Sequence, residues 1–580
     1  MRAPPHLLSA AAWALGIAAV VTLPLLPALA GAEVLGHPTG DLADHVQGAW
    51  AAGQSLLDLR RPDLTALSHF PAPLRLWFVD PVGALMALPL WGLGAHVAWG
   101  AVLFMQVALA AGVAFLAGRD LGGTYAGGAT AAVVVGGSPY VLGLLHSGLS
   151  EYLGLAPVVG GVWALLRLTG RDPRGRPAPR MTWAWAGSCI GLSTLQAPYY
   201  GLFLGLVALC CLPGRGWRDR LEELSQALVL GAVLSLPTLW LLTDALGDPA
   251  GAVTAANAPA WQQGRWPGVD VLGWFVPGHL FPDTPALGNP GVLQVHRLSL
   301  AAVAIGLLAA ARPHPDAPAA RKLLLPLGLM LLLGLGPVLT FDGQTPLVAG
   351  QPIPLPLGAL YVLDTPLRML HHPYRLAAVV LPLLGALAAV GVGVLPRGIR
   401  FTVPAVILVE GLLGGPVPWP LPTTDLRAPA VLTALPAGPV LEWPPDATDA
   451  NRAYQLAQPA HGRPIPYGVN VFVNEALRGD PLVEDLLTAF DDVGGRGRNR
   501  DAPGPPLAPI APRPGDTGLA ALGFRAVVLY PGRLNERERK KTLRRLEKHL
   551  GPAHVEVDGA LGWGLAPARG GIGEGGDGVR

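Results

Sequence analysis

Residues 7–30 read LLSAAAWALGIAAVVTLPLLPALA, and Gly40-Asp41-Leu42-Ala43-Asp44-His45 follows a short step later. The apolar run behind Met1–His6, ending Pro27-Ala28-Leu29-Ala30, imitates a cleavable leader, but a secretory apolar core is about 7–15 residues. Leu7–Ala30 is long enough to cross hydrocarbon, so it is expected to stay as a membrane anchor. Two carboxylates and an imidazole then lie just beyond its end.

The rest of the chain is of the same kind. Of its 580 residues 51% are apolar and 14% charged, with a mean hydropathy of +0.42, whereas soluble domains carry about 25% charged residues. An ordinary soluble enzyme is excluded. A net charge of +2 with dispersed Lys and Arg gives no nucleic-acid footprint. Cys189, Cys210 and Cys211 all fall in apolar runs, so they read as small buried apolar residues and build no disulfide or zinc pattern.

Further apolar segments lie near 97–118, 124–145, 151–168, 182–197, 198–213, 225–243, 297–311, 323–340, 376–395 and 401–418, about eleven spans with the first. The pieces at 182–197 and 198–213 meet at Gln196-Ala197-Pro198-Tyr199, where proline breaks the helix; they are two tilted spans or one re-entrant unit. With the N-terminus cytoplasmic, the inside loops hold Arg119, then Arg167, Arg171, Arg174, Arg176 and Arg180, then Arg215, Arg218 and Arg220, then Arg312, Arg321 and Lys322, then Arg397 and Arg400. The outside turns 146–150 and 196–199 hold none, which is the asymmetry of the positive-inside rule. Counting 81–96 as a span would reverse it, so Pro81–His96 is read as an apolar helix in the outer interface.

The fold class expected is therefore an all-α polytopic membrane domain over 1–418 with large external loops 31–96, 244–296 and 341–375, followed by a small α/β periplasmic domain over 419–580. Its strand-like runs are Pro439–Trp443 and Phe524–Tyr530, and a charged helix follows over Leu534–His549. Residues 491–517 read as a flexible loop and the Gly-rich end after Ala568 as disordered.

Three groups could carry chemistry. Asp41 and Asp44 with His45 could bind a divalent cation or supply a general base, or they could cap the following helix. His146 and Glu151, in His146-Ser147-Gly148-Leu149-Ser150-Glu151-Tyr152, could face Asp41 across a cleft and share a cation, or Glu151 could cap its helix while His146 sits at headgroup level. Arg368-Met369-Leu370-His371-His372-Pro373-Tyr374-Arg375 opens the tenth span. Two Arg and two His there suit a lipid phosphate, or nonspecific headgroup contact. Glu410 lies inside the last span, where an ionisable group needs a partner, and a polar contact with a neighbouring helix is expected. Tyr199 and Tyr200 read as interfacial belt residues. No P-loop, dinucleotide, HExxH, GxSxG or CxxC pattern stands in a usable context.

The order of these elements resembles the GT-C superfamily of polytopic glycosyltransferases, among its bacterial members of unassigned specificity. The resemblance rests on Gly40-Asp41-x-x-Asp44-His45 after the first span, Asp80-Pro81, and Gly136-Gly137-Ser138-Pro139-Tyr140 before the His/Glu turn. It continues through Ala197-Pro198-Tyr199-Tyr200-Gly201 and Leu335-Gly336-Pro337 to His371-His372-Pro373-Tyr374-Arg375, and in the tail through Val440-Leu441-Glu442-Trp443-Pro444, His461-Gly462-Arg463-Pro464 and Leu522–Val528. It implies sugar transfer from a polyprenyl-phosphate donor to a glycan, lipid or protein acceptor at the periplasmic face of a bacterial inner membrane, as part of cell-envelope chemistry. Asp41, with Asp44 beside it, would be general base or ligand to a cation such as Mg or Mn. Arg375, Arg368, His372 and His371 would hold the donor phosphate. Two positions depart from the pattern: His371 replaces the first Arg of Arg-x-Pro-x-Arg, and the second loop carries Glu151 without a paired carboxylate. The competing readings are a transporter or flippase of a lipid-linked or anionic solute, and a catalytically inactive envelope scaffold.

Overall fold

In the computed structural model the described residues are 5–61, 67–68, 70–71, 80–172, 174, 176–211, 220–246, 269–276, 295–311, 317–342, 344–362, 372–414, 417–445, 450–467, 477, 480–491 and 518–565. The chain divides into two compact units, one of residues 1–45, 79–243 and 257–425, the other of 46–78, 244–256 and 426–580.

The first unit is helical. In chain order it holds α1 Pro5–Val21, α2 Leu25–Gly31, strand β1 Glu33–Leu35, the start of α3 Leu42–Leu57, α4 Pro81–Ala87 with a 3-10 turn Leu88–Leu93, α5 Ala95–Gly122, α6 Tyr125–Gly136 and α7 Pro139–Ser147. Next come α8 Ser150–Leu153, α9 Ala156–Leu168, α10 Thr182–Gln196, α11 Pro198–Cys211, α12 Leu221–Leu246, α13 Leu300–Ala311 and α14 Ala317–Gly334. The hairpin β2 Leu347–Val348 and β3 Gln351–Pro352, then α15 Pro356–Val362, α16 Ala377–Gly393, α17 Thr402–Leu413 and β4 Thr423–Asp425 complete it. β1 and β4 pair antiparallel, Glu33 opposite Asp425 and Leu35 opposite Thr423.

Local chemistry sets these ends. Thr124 accepts a hydrogen bond from Gly127 N–H and Ser138 from Val141 N–H, so each opens a new helix with a side-chain cap. Pro81 and Pro139 sit where a helix has no need of an N–H. α16 is apolar on every side and buried from Ala377 to Val392, as expected of a central helix. It packs against α5, α6, α9, α13 and α14.

Among the described residues five helical segments are long and apolar enough to cross a membrane: Ala95–Gly122, Tyr125–Ser147, Ser150–Leu168, Leu221–Leu241 and Pro373–Gly393. By length and composition this is a multi-pass membrane protein. The other expected spans are helical but shorter, and the reasons are local. Leu7–Ala30 breaks at Thr22–Pro24 into α1 and α2, because Pro24 has no N–H to continue the ladder. The expected 323–340 stops at Gly334, ahead of Gly336-Pro337, and 401–418 stops at Leu413. α10 and α11, of 15 and 14 residues, are each about 22 Å long at 1.5 Å per residue, against a hydrocarbon core of about 30 Å.

In the second unit lie α18 Ala430–Thr433, β5 Val440–Trp443, α19 Ala450–His461, α20 Pro481–Asp491, β6 Ala526–Leu529, α21 Glu536–Leu550, β7 Val555–Val557 and β8 Ala560–Gly564. The sheet order is β5-β6-β8-β7, with β5 and β6 parallel and the other pairs antiparallel. Trp443, Tyr454, Tyr467, Phe524 and Trp563 fill its core. α21 opens with a capping box, Asn535 and Glu538 each bonding the other's backbone N–H.

The unit boundaries differ from an expected division at 418/419. Residues 419–425 belong to the first unit through the β1–β4 pair. Residues 46–78 belong to the second: Phe70 packs edge-on against Phe524 at 4.9 Å, Ile465 N–H donates to Leu67 O, and Gln47 Nε2 donates to Gln458 Oε1 at 2.5 Å. Of the expected loop at 491–517 only Asp491 is described, and the end after Ala568 lies outside the described residues.

Candidate functional site

Residues 37–41 are tied across the end of α7, His37 N–H donating to His146 O (2.8 Å) and Asp41 N–H to Ser147 O (2.9 Å). Gly148 makes this close approach possible. It sits at φ 74°, and a Cβ there would lie 2.4 Å from Leu42 Cα. Asp41 stands at the entry of α3, its carbonyl accepting from His45 N–H (3.2 Å). Asp44 is half-buried in the first turn, where a carboxylate complements the helix N-terminus.

His45 is buried, and its Nδ1 lies 3.0 Å from Ser150 Oγ. Burial first, then the charge of Arg375, lowers its pKa to about 3, so the imidazole is neutral at physiological pH. Ser150 also bonds Asp80. With the hydroxyl donating to that carboxylate, His45 is left as the donor to Ser150 Oγ.

Asp80 is wholly buried at φ 56° as the cap of α4, accepting from Gly83 N–H (2.7 Å), Gln106 Nε2 (3.4 Å) and Gln196 Nε2 (2.9 Å). Burial raises its carboxyl above the usual range, and these hydrogen bonds oppose the rise. Gln196 also donates to Glu151 O (3.0 Å), linking α10 to α8. Gly154 leaves room for it: a Cβ there would lie 2.3 Å from Gln196 Cδ.

Arg375 lies in a 3-10 turn, Pro373–Leu376, that leads into α16. Its Cζ is 4.0 Å from the centroid of the Tyr152 ring and 5.4 Å from that of Tyr199. Its Nε is buried without a hydrogen bond. Glu151 lies in the combined field of Arg375, Asp80 and Asp41. One cation and three carboxylates, from four stretches distant in sequence, thus share one electrostatic neighbourhood, with Tyr152, Tyr199 and Tyr374 around the cation.

The structure therefore brings Asp41, Glu151 and Arg375 together. His372 is half-buried beside Tyr374, with ring centroids 5.7 Å apart. Arg368 and His371 lie outside the described residues. His146 stacks on His37, with ring centroids 5.4 Å apart. Among the described residues no group of three or more His, Cys, Asp or Glu could hold a metal ion.

Glu410 belongs to a separate cluster. It accepts from Arg297 Nη2 (3.1 Å), Ser299 Oγ (2.6 Å), Leu300 N–H (2.6 Å) and Ala301 N–H (3.2 Å), capping the start of α13. Asp80, Ser150, Tyr152 and Gln196 were not singled out as site residues by the sequence. The one signal for Asp80 was its place before Pro81 at a helix start.

No protein-family model matches the chain, and no curated protein matches it. Among solved structures it is similar to ArnT from Cupriavidus metallidurans bound to undecaprenyl phosphate, with TM-score 0.41, 15% identity, and 69% of this chain and 64% of that one covered. It is also similar to the oligosaccharyltransferase of Archaeoglobus fulgidus in its apo form (TM-score 0.41, 12% identity, 90% and 69% covered) and to the mycobacterial arabinofuranosyltransferase AftD (0.42, 16%, 91% and 36%). The chain spans less than two thirds of ArnT and about a third of AftD. Likeness at this level equates no individual residues.

Proposed function

We propose that the protein transfers a sugar from a polyprenyl-phosphate-linked donor to a hydroxyl- or amide-bearing acceptor at the periplasmic face of a bacterial inner membrane. The observation that carries this reading is the convergence of Arg375 with Asp41, Asp80 and Glu151 beside the mouth of an apolar helix bundle. The motif order described above supports it further. In the reaction the acceptor oxygen or nitrogen attacks the anomeric carbon and the bond from that carbon to the phosphate oxygen breaks. The acceptor's proton passes to Asp41, and the phosphate leaves with the lipid. Arg375 holds that phosphate and stabilises the charge that grows on it. Asp80, buried and hydrogen-bonded, is a framework group, and Glu151 balances the cation. No role is assigned to a metal ion.

Undecaprenyl phosphate binding to the full-length protein in nanodiscs tests the donor site. Saturable binding that falls at least tenfold in Arg375→Ala and survives in Asp41→Asn is expected. Transfer from lipid-linked sugars should fall about 10²- to 10⁴-fold in Asp41→Asn, the usual contribution of a positioned base. Absence of saturable binding to well-folded wild type would sink the donor assignment.

A further inference from the structure

Tyr152 follows Glu151 on α8 and Tyr199 opens α11, yet both present a ring to one guanidinium. A carboxylate partner would occupy the donor edge of an arginine, whereas an aromatic face attracts the cation through its ring quadrupole and leaves the in-plane N–H groups available. The buried Nε of Arg375, without a hydrogen bond, is such a group.

The two rings are themselves held at the seam between α10 and α11. Tyr200 donates to Tyr152 O (2.6 Å), and its hydroxyl lies 3.2 Å from that of Tyr140. Gln196 grips Glu151 O on the preceding residue (3.0 Å). The break at Ala197-Pro198 places Gln196, Tyr199 and Tyr200 on the same side of the turn that carries Glu151 and Tyr152. Tyr199 further stacks on Phe203, with centroids 6.4 Å apart.

We infer that Tyr152 and Tyr199 are positioning residues, an aromatic cradle that fixes Arg375, whose guanidinium also bonds Tyr374, with its Nε–H left for an oxyanion; this rests on the proposed role of Arg375 toward the lipid phosphate. The cradle replaces a salt bridge at a point where an ion-paired arginine would have to exchange partners each time the phosphate arrives and leaves.

The test uses full-length protein in nanodiscs with Tyr152→Phe, Tyr152→Leu, Tyr199→Phe and Tyr199→Leu, each verified for an unchanged melting profile. Two quantities are read: the rate at which phenylglyoxal modifies Arg375, followed by peptide mass spectrometry, and the affinity for undecaprenyl phosphate. Each Leu variant should expose Arg375 to modification and weaken lipid binding, both by about 3- to 30-fold, the range of a partly desolvated cation–π contact. The Phe variants keep the ring and should stay within about twofold of wild type. Wild-type modification rates in both Leu variants, or Phe variants as reactive as the Leu ones, would overturn the cradle whatever the lipid does. Faster modification in the Leu variants of a protein that binds no lipid phosphate would uphold the cradle and remove the donor-site reading. Should one Leu variant fail to fold, the other position decides.

Discussion

Glu442, on the edge strand β5, offers a direct measure of how much burial weighs in the second unit. Its Oε1 accepts from Tyr530 O–H at 2.7 Å, its Oε2 is buried without a partner, and the side chain is wholly inaccessible. Burial raises its pKa from 4.5 to about 7, against the hydrogen bond from Tyr530 and the charges of Arg533 and Arg463. Below about pH 4.5 the carboxyl is protonated both folded and unfolded, and pH has no leverage through it. Between 4.5 and 7 the unfolded chain gives up the proton while the folded one keeps it, so stability falls as pH rises. Above 7 the loss is complete. At about 1.36 kcal/mol per pKa unit, a shift of about 2.5 units amounts to about 3 kcal/mol. The assay is hydrogen exchange of the amides of Val440–Trp443 and Ala526–Leu529 in the intact protein, corrected for intrinsic rates, between pH 4 and 8.5. Wild type should lose about 3 kcal/mol of opening free energy over that range, and Glu442→Gln, which cannot ionise, should lose little. An equal pH slope in the two proteins would refute the reasoning, since a constant offset from the new amide cannot mimic a slope.

Breaking one side of the Arg297–Glu410 pair should be costly. Arg297→Met or Glu410→Gln should each destabilise the protein in detergent by about 3 kcal/mol, and the double variant, by recovering part of that loss, would show coupling in a thermal-unfolding cycle. Additive losses would mean that the pair does not act as a unit. Gly148→Ala combines a left-handed backbone with a Cβ driven into Leu42. It should lower stability by more than about 2 kcal/mol or abolish folded yield by gel filtration, and a wild-type melting curve would contradict the close approach.

What the sequence discloses follows from what each signal depends on. Apolar runs are local, so the helices of the first unit stand near their expected positions. Their ends do not, because a single proline or glycine such as Pro24 or Gly336 decides them. The composition change after residue 418 was legible, as were β5, β6 and α21, whose periodicity is written in consecutive residues. Residues 46–78 carry no such mark, because their attachment rests on pairings such as Phe70 with Phe524 and Gln47 with Gln458. The site divides in the same way. Asp41, Glu151 and Arg375 stood out as charges in apolar surroundings. Asp80 was visible only as a helix opener, since nothing local tells that Gln106 and Gln196 will close over it. Tyr199 read as a belt residue, because a ring's service to an arginine far along the chain leaves no periodic trace.

The enclosure of α16 on all sides bears on how the protein is made. The ribosome delivers the helices from N- to C-terminus, and those that line the slot for residues 377–393 emerge before its occupant does. Until then the earlier helices surround a vacant centre, which insertion machinery or lipid must tolerate. A chain cut short before Arg375 lacks both its keystone and the arginine at the keystone's entrance, so a premature product is open at its centre and without the proposed phosphate-holding group.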